Sequence, residues 1–285
     1  MRQVRDKKEK RMKLKWGRYG CFFLIVIVWI TLCGCSTDTV QQKELPELVI
    51  GGTLYSPYFY RDINGQCVGI DVDVAEEACR RIGYTPVFQE VDIADRFDAL
   101  QNEEVDCLWS CLTMKGREEE YLWAGPYLYT QRVIMVPVES DIKVLNDLEG
   151  KRAAVLKDST SETIIVNQEI DYFPKLQQLT SFSELSEVFM ALRKGYVDAA
   201  IGHESSLLVY ADEYPGEYRF LNISLRSDAL GVAFRTSADA EMVEKLNGVM
   251  QGMQEDGTLE TIIEKYDLDI QKNVYGGSVN GQEEK

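Results

Sequence analysis

Short apolar stretches alternate with segments of helical period along most of the chain, and that alternation restricts the fold to an α/β architecture with a mostly parallel sheet. Leu48-Val49-Ile50-Gly51-Gly52 reads as a buried strand that runs into Tyr55-Ser56-Pro57-Tyr58-Phe59-Tyr60 and a turn at Asn64-Gly65. The next segment predicts a helix capped by Asp71, with Val72, Ala75, Cys79 and Ile82 on its apolar face and a stop at Gly83. A strand at 86–88, a helix over 94–102 and a strand at 105–109 follow. The second half repeats the scheme. Strands are expected at 133–138, 151–156, 197–202 and 229–234, and helices at 144–148, 238–254 and 258–266. Ser181-Phe182-Ser183-Glu184 reads as a capping box for a helix whose apolar face is Leu185, Val188, Phe189 and Leu192.

The N-terminus carries a different signal. Residues 1–34 hold nine Lys/Arg against two Asp/Glu, and the basic stretch precedes an apolar run from Cys21 to Leu32. That run is about a dozen residues, short of the roughly 20 that a membrane span needs, and reads as the core of a signal peptide. Leu32-Cys33-Gly34-Cys35 closes it and resembles a bacterial lipobox, which implies cleavage before Cys35 and lipidation of its sulfur; a retained signal anchor is the alternative. Each buried CH₂ of an acyl chain adds about 0.8 kcal/mol of membrane affinity, so several chains hold a soluble body at the surface. Residues 1–34 are therefore expected to be removed, with 35–45 a linker.

Loss of that basic segment takes the formal charge from −16 to −23. So acidic a body repels nucleic acid, and no nucleic-acid partner is expected. Cys67, Cys79, Cys107 and Cys111 remain in the body, as disulfides or as buried thiols. His203 is the only histidine and Cys107 and Cys111 stand four apart, a poor basis for a metal site. Neither a metal nor another cofactor is expected.

From about residue 48 to 268 the order of motifs resembles the family-3 extracellular solute-binding proteins of amino-acid ABC transporters. The resemblance rests on Gly69-Ile70-Asp71-Val72-Asp73-Val74, on Thr113-Met114-Lys115-Gly116-Arg117 followed by Gly125-Pro126-Tyr127, and on Asn146-Asp147-Leu148-Glu149-Gly150-Lys151. It implies a two-lobed, periplasmic-binding-protein-like fold. Lobe one would take residues 46–129 and 227–270 and lobe two residues 132–224, with hinge strands near 129–131 and 225–227 and a flexible tail at 271–285. A ligand would sit between the lobes at the C-terminal ends of the strands and favour closure by touching both.

The same resemblance implies ligand groups. Arg117 is the candidate clamp for a solute α-carboxylate, a task suited to the bidentate guanidinium, with a surface pair to Glu118–Glu120 as its structural alternative. Ser110, Leu112 (through its backbone N–H) and Thr113 would assist it. Glu204 is the candidate partner for the α-ammonium, against a plain helix-start acid. Ser159 and Thr160 would bind from lobe two, although helix capping alone also explains them. Tyr55 and Trp109 are candidate aromatic walls, Ile93 replaces a second wall, and His203 either lines the pocket or satisfies backbone groups.

These features imply a monomeric, non-enzymatic binding component, lipid-anchored on the extracytoplasmic side of the cell membrane, that serves ABC permease subunits. Two other classes share the fold: prephenate or arogenate dehydratases, which need a general acid near a carboxylate-binding Arg, and sensor domains acting through a receptor.

Overall fold

A computed structural model describes residues 45–277. The signal segment and Cys35 lie outside the described residues. Glu47–Gly52 forms β1, Tyr60–Arg61 and Cys67–Val68 pair as β2 and β3, and Ile70–Ile82 is α1. Thr85–Glu90 (β4), Arg96–Gln101 (α2) and Cys107–Leu108 (β5) complete the first run, before the 16-residue strand Leu122–Pro137 (β6). The second run comprises Arg152–Leu156 (β7), Thr160–Val166 (α3), Gln178–Phe182 (β8), Leu185–Arg193 (α4), Ala199–His203 (β9), Glu204–Asp212 (α5) and Tyr218–Phe220 (β10). Arg226–Phe234 (β11) then returns to the first half, followed by Ala240–Glu255 (α6), Thr258–Glu264 (α7) and Ile270–Asn273 (α8).

The strands order as β4-β1-β5-β11-β6-β9-β7-β8, with β10 also on β6. β1 is parallel to β4 and β5, and β7 is parallel to β8 and β9. The antiparallel pair β6 and β11 runs between these two parallel groups, Thr130 facing Asp228 and Arg132 facing Arg226. Both expected crossing segments thus fall on one ladder of paired strands.

Each half has its own apolar centre. Ile50, Ile70, Val74, Leu128, Leu246 and Ile263 are buried in the first, where α1, α6 and α7 cover the sheet. In the second, β6 feeds both faces. Val133 and Met135 pack with Phe189 and Leu192, whereas Ile134 and Val136 pack with Val155 and Ile201. A strand covered on both faces buries every successive side chain, which is why 133–136 reads as an unbroken apolar run.

Several local expectations are corrected. Gly69, not Asp71, precedes α1 as its N-cap, and the buried Asp71 accepts from the Tyr127 hydroxyl and the Cys111 N–H instead. The capping box of α4 sits at Glu184 and Glu187, downstream of the expected Ser181. The stretch 271–277, expected to be loose, is packed: Val274 is buried and Lys272 pairs with Glu204. Cys67, Cys79, Cys107 and Cys111 are free thiols. Gly69 has φ 133°, and a Cβ there would lie 2.2 Å from the Tyr58 carbonyl oxygen, so the α1 entrance requires glycine.

Candidate functional site

The C-terminal ends of four strands, two from each parallel group, meet at one cleft. β1 runs into Thr53 and Tyr55, and β5 into Ser110, Cys111, Leu112 and Thr113. Opposite them, β7 ends in Leu156 and leads to Ser159 and Thr160 at the start of α3, and β9 ends in His203. Ile93 and Arg96 close one side. The space open to the centres of water-sized groups is about 50 Å³, enough for a few such groups at roughly 10–15 Å³ each.

The lining is held by hydrogen bonds from below. Ser110 Oγ donates to the Thr53 carbonyl at 2.8 Å, tying the end of β5 to that of β1. Ser159 Oγ caps α3 by accepting from the Glu162 N–H and donates to the Leu156 carbonyl. Its hydroxyl therefore serves the turn first, while the Thr160 side chain is not engaged in that cap. Beneath the cleft, buried Arg132 binds Asp228 at 2.6 Å and reaches Ser161 at 2.8 Å in the second half and Thr113 at 3.3 Å in the first. Arg226 also donates to Asp228, at 2.5 Å, so one carboxylate serves two guanidinium groups at the crossing strands.

Other contacts join the two halves around the cleft. The Tyr58 hydroxyl and Ser205 Oγ lie 2.7 Å apart, and Cys111 Sγ is 3.3 Å from His203 Nδ1. His203 Nδ1 also meets Thr130 Oγ1 at 3.1 Å, and the Tyr55 ring stands edge-on to the imidazole. Burial, then the charges of Arg132 and Arg226, hold the imidazole well below its ordinary pKa, so it is neutral at neutral pH. Burial, with Asp71 adding to it, pushes the Cys111 thiol up and keeps it protonated.

Arg96 is the charged side chain of the lining. Its Nη1 donates to the Ile93 carbonyl at 2.5 Å and its Nη2 reaches the Asp158 carbonyl across the cleft at 3.4 Å, while Nε is buried without a partner among the described residues. Burial, followed by the nearby charge of Arg117, pushes its pKa down to about 10. The group stays protonated at neutral pH. Desolvation is the main cause, opposed by the charge of Asp158.

The geometry therefore gathers Tyr55, Ser110, Leu112, Thr113, Ser159, Thr160 and His203 and leaves three sequence candidates outside. Arg117 closes one turn on Met114 and opens the next to Glu120, its guanidinium 5.2 Å from the centre of the Phe97 ring, which Arg96 also covers at 4.9 Å. Glu204 follows His203 as the first residue of α5. It faces a separate crevice, where Lys272 Nζ donates to both its oxygens at 2.9 and 3.2 Å. Trp109 is a core residue, fully buried against Tyr127. Arg96, Thr53, Cys111 and Leu156 were missed from the sequence. Only position after a strand end could have flagged the last three, and Arg96 sits in a helix with no motif around it.

Two α/β halves on a shared pair of long strands, with strand-end loops of both facing one cleft, define a two-lobed solute-binding protein. Residues 48–269 match the bacterial extracellular solute-binding proteins, family 3, and the chain belongs to that family. The histidine-binding periplasmic protein of Escherichia coli strain K12 is 29% identical over 254 residues, which cover 85% of this chain and 95% of that protein. Among solved structures, an ancestral arginine-binding protein bound to arginine superposes with a TM-score of 0.68 at 29% identity, over 77% of this chain and 97% of the other. An ancestral amino-acid-binding protein described as a precursor of cyclohexadienyl dehydratase gives 0.69 at 26% identity, over 77% and 95%.

Proposed function

We propose that this chain is the extracytoplasmic substrate-binding component of an amino-acid ABC transporter, in which lobe one (46–129 and 227–270) and lobe two (132–224) close on a compact, carboxylate-bearing solute. The observation that carries the reading is a cleft lined from both halves around Arg96, a half-buried cation whose Nε is buried without a partner among the described residues. A carboxylate against that guanidinium supplies the missing acceptor, and the hydroxyls of Ser110, Thr113 and Thr160 stand within the same lining. Because a ligand shifts an opening equilibrium only by its differential contacts, groups from both lobes are what closure needs. Arg117 takes a supporting place beside Arg96, and Tyr55 and His203 form the wall.

The relatives' names, which specify histidine and arginine, favour an amino acid or a close analogue. Lipidation of Cys35 would hold the domain at the membrane near a permease, and among the described residues no helix is long and apolar enough to cross a membrane. The dehydratase relationship offers a second reading, favoured by the precursor structure. Such an enzyme needs a general acid, and no carboxyl group is among the described lining residues.

The test is a thermal-shift screen of the full chain in detergent against amino acids, sugars, polyamines and prephenate. A ligand at a hundredfold excess over Kd stabilises by about 2.7 kcal/mol. An amino-acid hit that is lost in Arg96→Gln supports the reading. A sugar or polyamine hit indifferent to Arg96, or turnover of prephenate, refutes it.

A further inference from the structure

The described lining of the cleft carries a guanidinium and no carboxylate. Arg96 lines it, and Arg117 shares the Phe97 ring with it, so two guanidinium groups stand together at one side. Three acids that the two halves bring toward this region are engaged elsewhere. Asp228 is held by Arg132 and Arg226 under the floor, Asp71 takes the Tyr127 hydroxyl and the Cys111 N–H, and Glu204 is paired with Lys272 in another crevice. Asp158, whose charge acts on Arg96, and Asp92, Asp95 and Asp98 around α2 are exposed and outside the lining. Where β9 delivers a side chain into the cleft it delivers His203, whose two polar contacts both fall on Nδ1.

We propose that this cleft selects a compact solute of net negative charge, a small dicarboxylate or an acidic amino acid, over the cationic amino acids named for several of its relatives. The inference rests on the reading of the cleft as a solute site and adds the charge class to it. A lysine-, arginine- or histidine-like side chain placed here would be desolvated next to Arg96 and Arg117 with no carboxylate from the lining to balance it. A second carboxylate on the solute meets the opposite situation: one group pairs with Arg96, and the other is drawn toward Arg117 or the Thr160 hydroxyl opposite. The apolar side chains of Ile93, Leu112 and Leu156 exclude water around those pairs and strengthen them. An α-ammonium, where present, is left to neutral acceptors such as the Thr53 and Ser110 oxygens, so a dicarboxylate without it is not penalised.

The experiment is isothermal titration calorimetry of the full chain in detergent with L-glutamate, L-aspartate and glutarate, against L-glutamine, L-arginine, L-lysine and L-histidine. L-Glutamate and L-glutamine differ in charge at nearly constant shape, so their ratio reads the charge preference on the unchanged protein. L-Glutamate or glutarate is expected to bind at least about tenfold more tightly than L-glutamine, equivalent to about 1.4 kcal/mol. Arg96→Gln should abolish that ratio, with Arg117→Gln reducing it less. Equal or tighter binding of L-glutamine, L-arginine, L-lysine or L-histidine overturns the anionic preference while leaving the amino-acid reading standing. Binding of none of the compounds overturns both.

Discussion

Replacing Asp228 by Asn is the most demanding stability test of the crossing-strand pair. Asp228 is fully buried, receives Arg132 Nε at 2.6 Å and Arg226 Nε at 2.5 Å, and Arg132 is itself only 1% exposed. An Asn side chain keeps the volume but offers one acceptor oxygen, turns an NH₂ toward the second guanidinium, and leaves Arg132 without its counter-charge. Removing one partner of a buried pair costs about 3–5 kcal/mol, because the charge left behind is desolvated and unpaired. For a body of roughly 150–250 residues each kcal/mol shifts Tm by about 2–4 °C, so Asp228→Asn should lower Tm by about 6–20 °C. Thermal unfolding followed by circular dichroism measures it, with a denaturant titration to check that the m-value is unchanged. Replacing both partners, as in Arg132→Met/Asp228→Leu, should cost less than the sum of the single changes, since neither orphaned charge remains. A fall in Tm smaller than about 2 °C for Asp228→Asn would mean that the pair is not what holds the two long strands in register.

Three further outcomes follow from other contacts. Burial raises the Asp71 pKa from 3.8 to about 7, so the native state holds that proton more tightly than the unfolded chain; this group's stabilisation is complete below about pH 4 and is lost as pH rises to about 7, by roughly 4 kcal/mol at most. Asp71→Asn should flatten that part of the Tm–pH profile, and an unchanged slope would count against the shift. Gly69→Ala puts a Cβ at 2.2 Å from the Tyr58 carbonyl on a backbone at φ 133°; a loss of at least about 3 kcal/mol in guanidinium titrations is expected, and a neutral result would show that the Pro57–Tyr58 turn yields freely. Cys35→Ala should move the protein from the membrane to the soluble fraction, whereas continued membrane fractionation would point to a retained signal anchor.

The fold was legible because its signals are local and repeated. The apolar runs at 48–52, 133–138, 151–156 and 197–202 lie on strands covered on both faces, where burial leaves no polar alternation. Gly83 stops α1 where expected, in the left-handed conformation at φ 78°. Asp71 was misassigned because an acid near a helix start has the same appearance in sequence whether it caps or is buried under a tyrosine from a strand 56 positions away. Of the residues offered by the family resemblance, Tyr55, Ser110, Thr113, Ser159, Thr160 and His203 follow or end strands and line the cleft. The site was not legible at the change from β9 to α5, where His203 lines the cleft and Glu204 pairs with Lys272, or at Arg117, which lies on the Phe97 ring beside Arg96. Arg96 enters the cleft from a six-residue helix with no motif of its own, so only the packing of α2 against the first half identifies it.

The most direct measurement is a crystal structure of the chain with the tightest-binding amino acid or dicarboxylate from the titrations. A solute carboxylate within hydrogen-bond reach of Arg96, with further contacts from both the β1–β5 ends and the β7–β9 ends, is the predicted result. A solute seated against the outer face of Arg117, in the Glu204–Lys272 crevice, or on one lobe alone would contradict it.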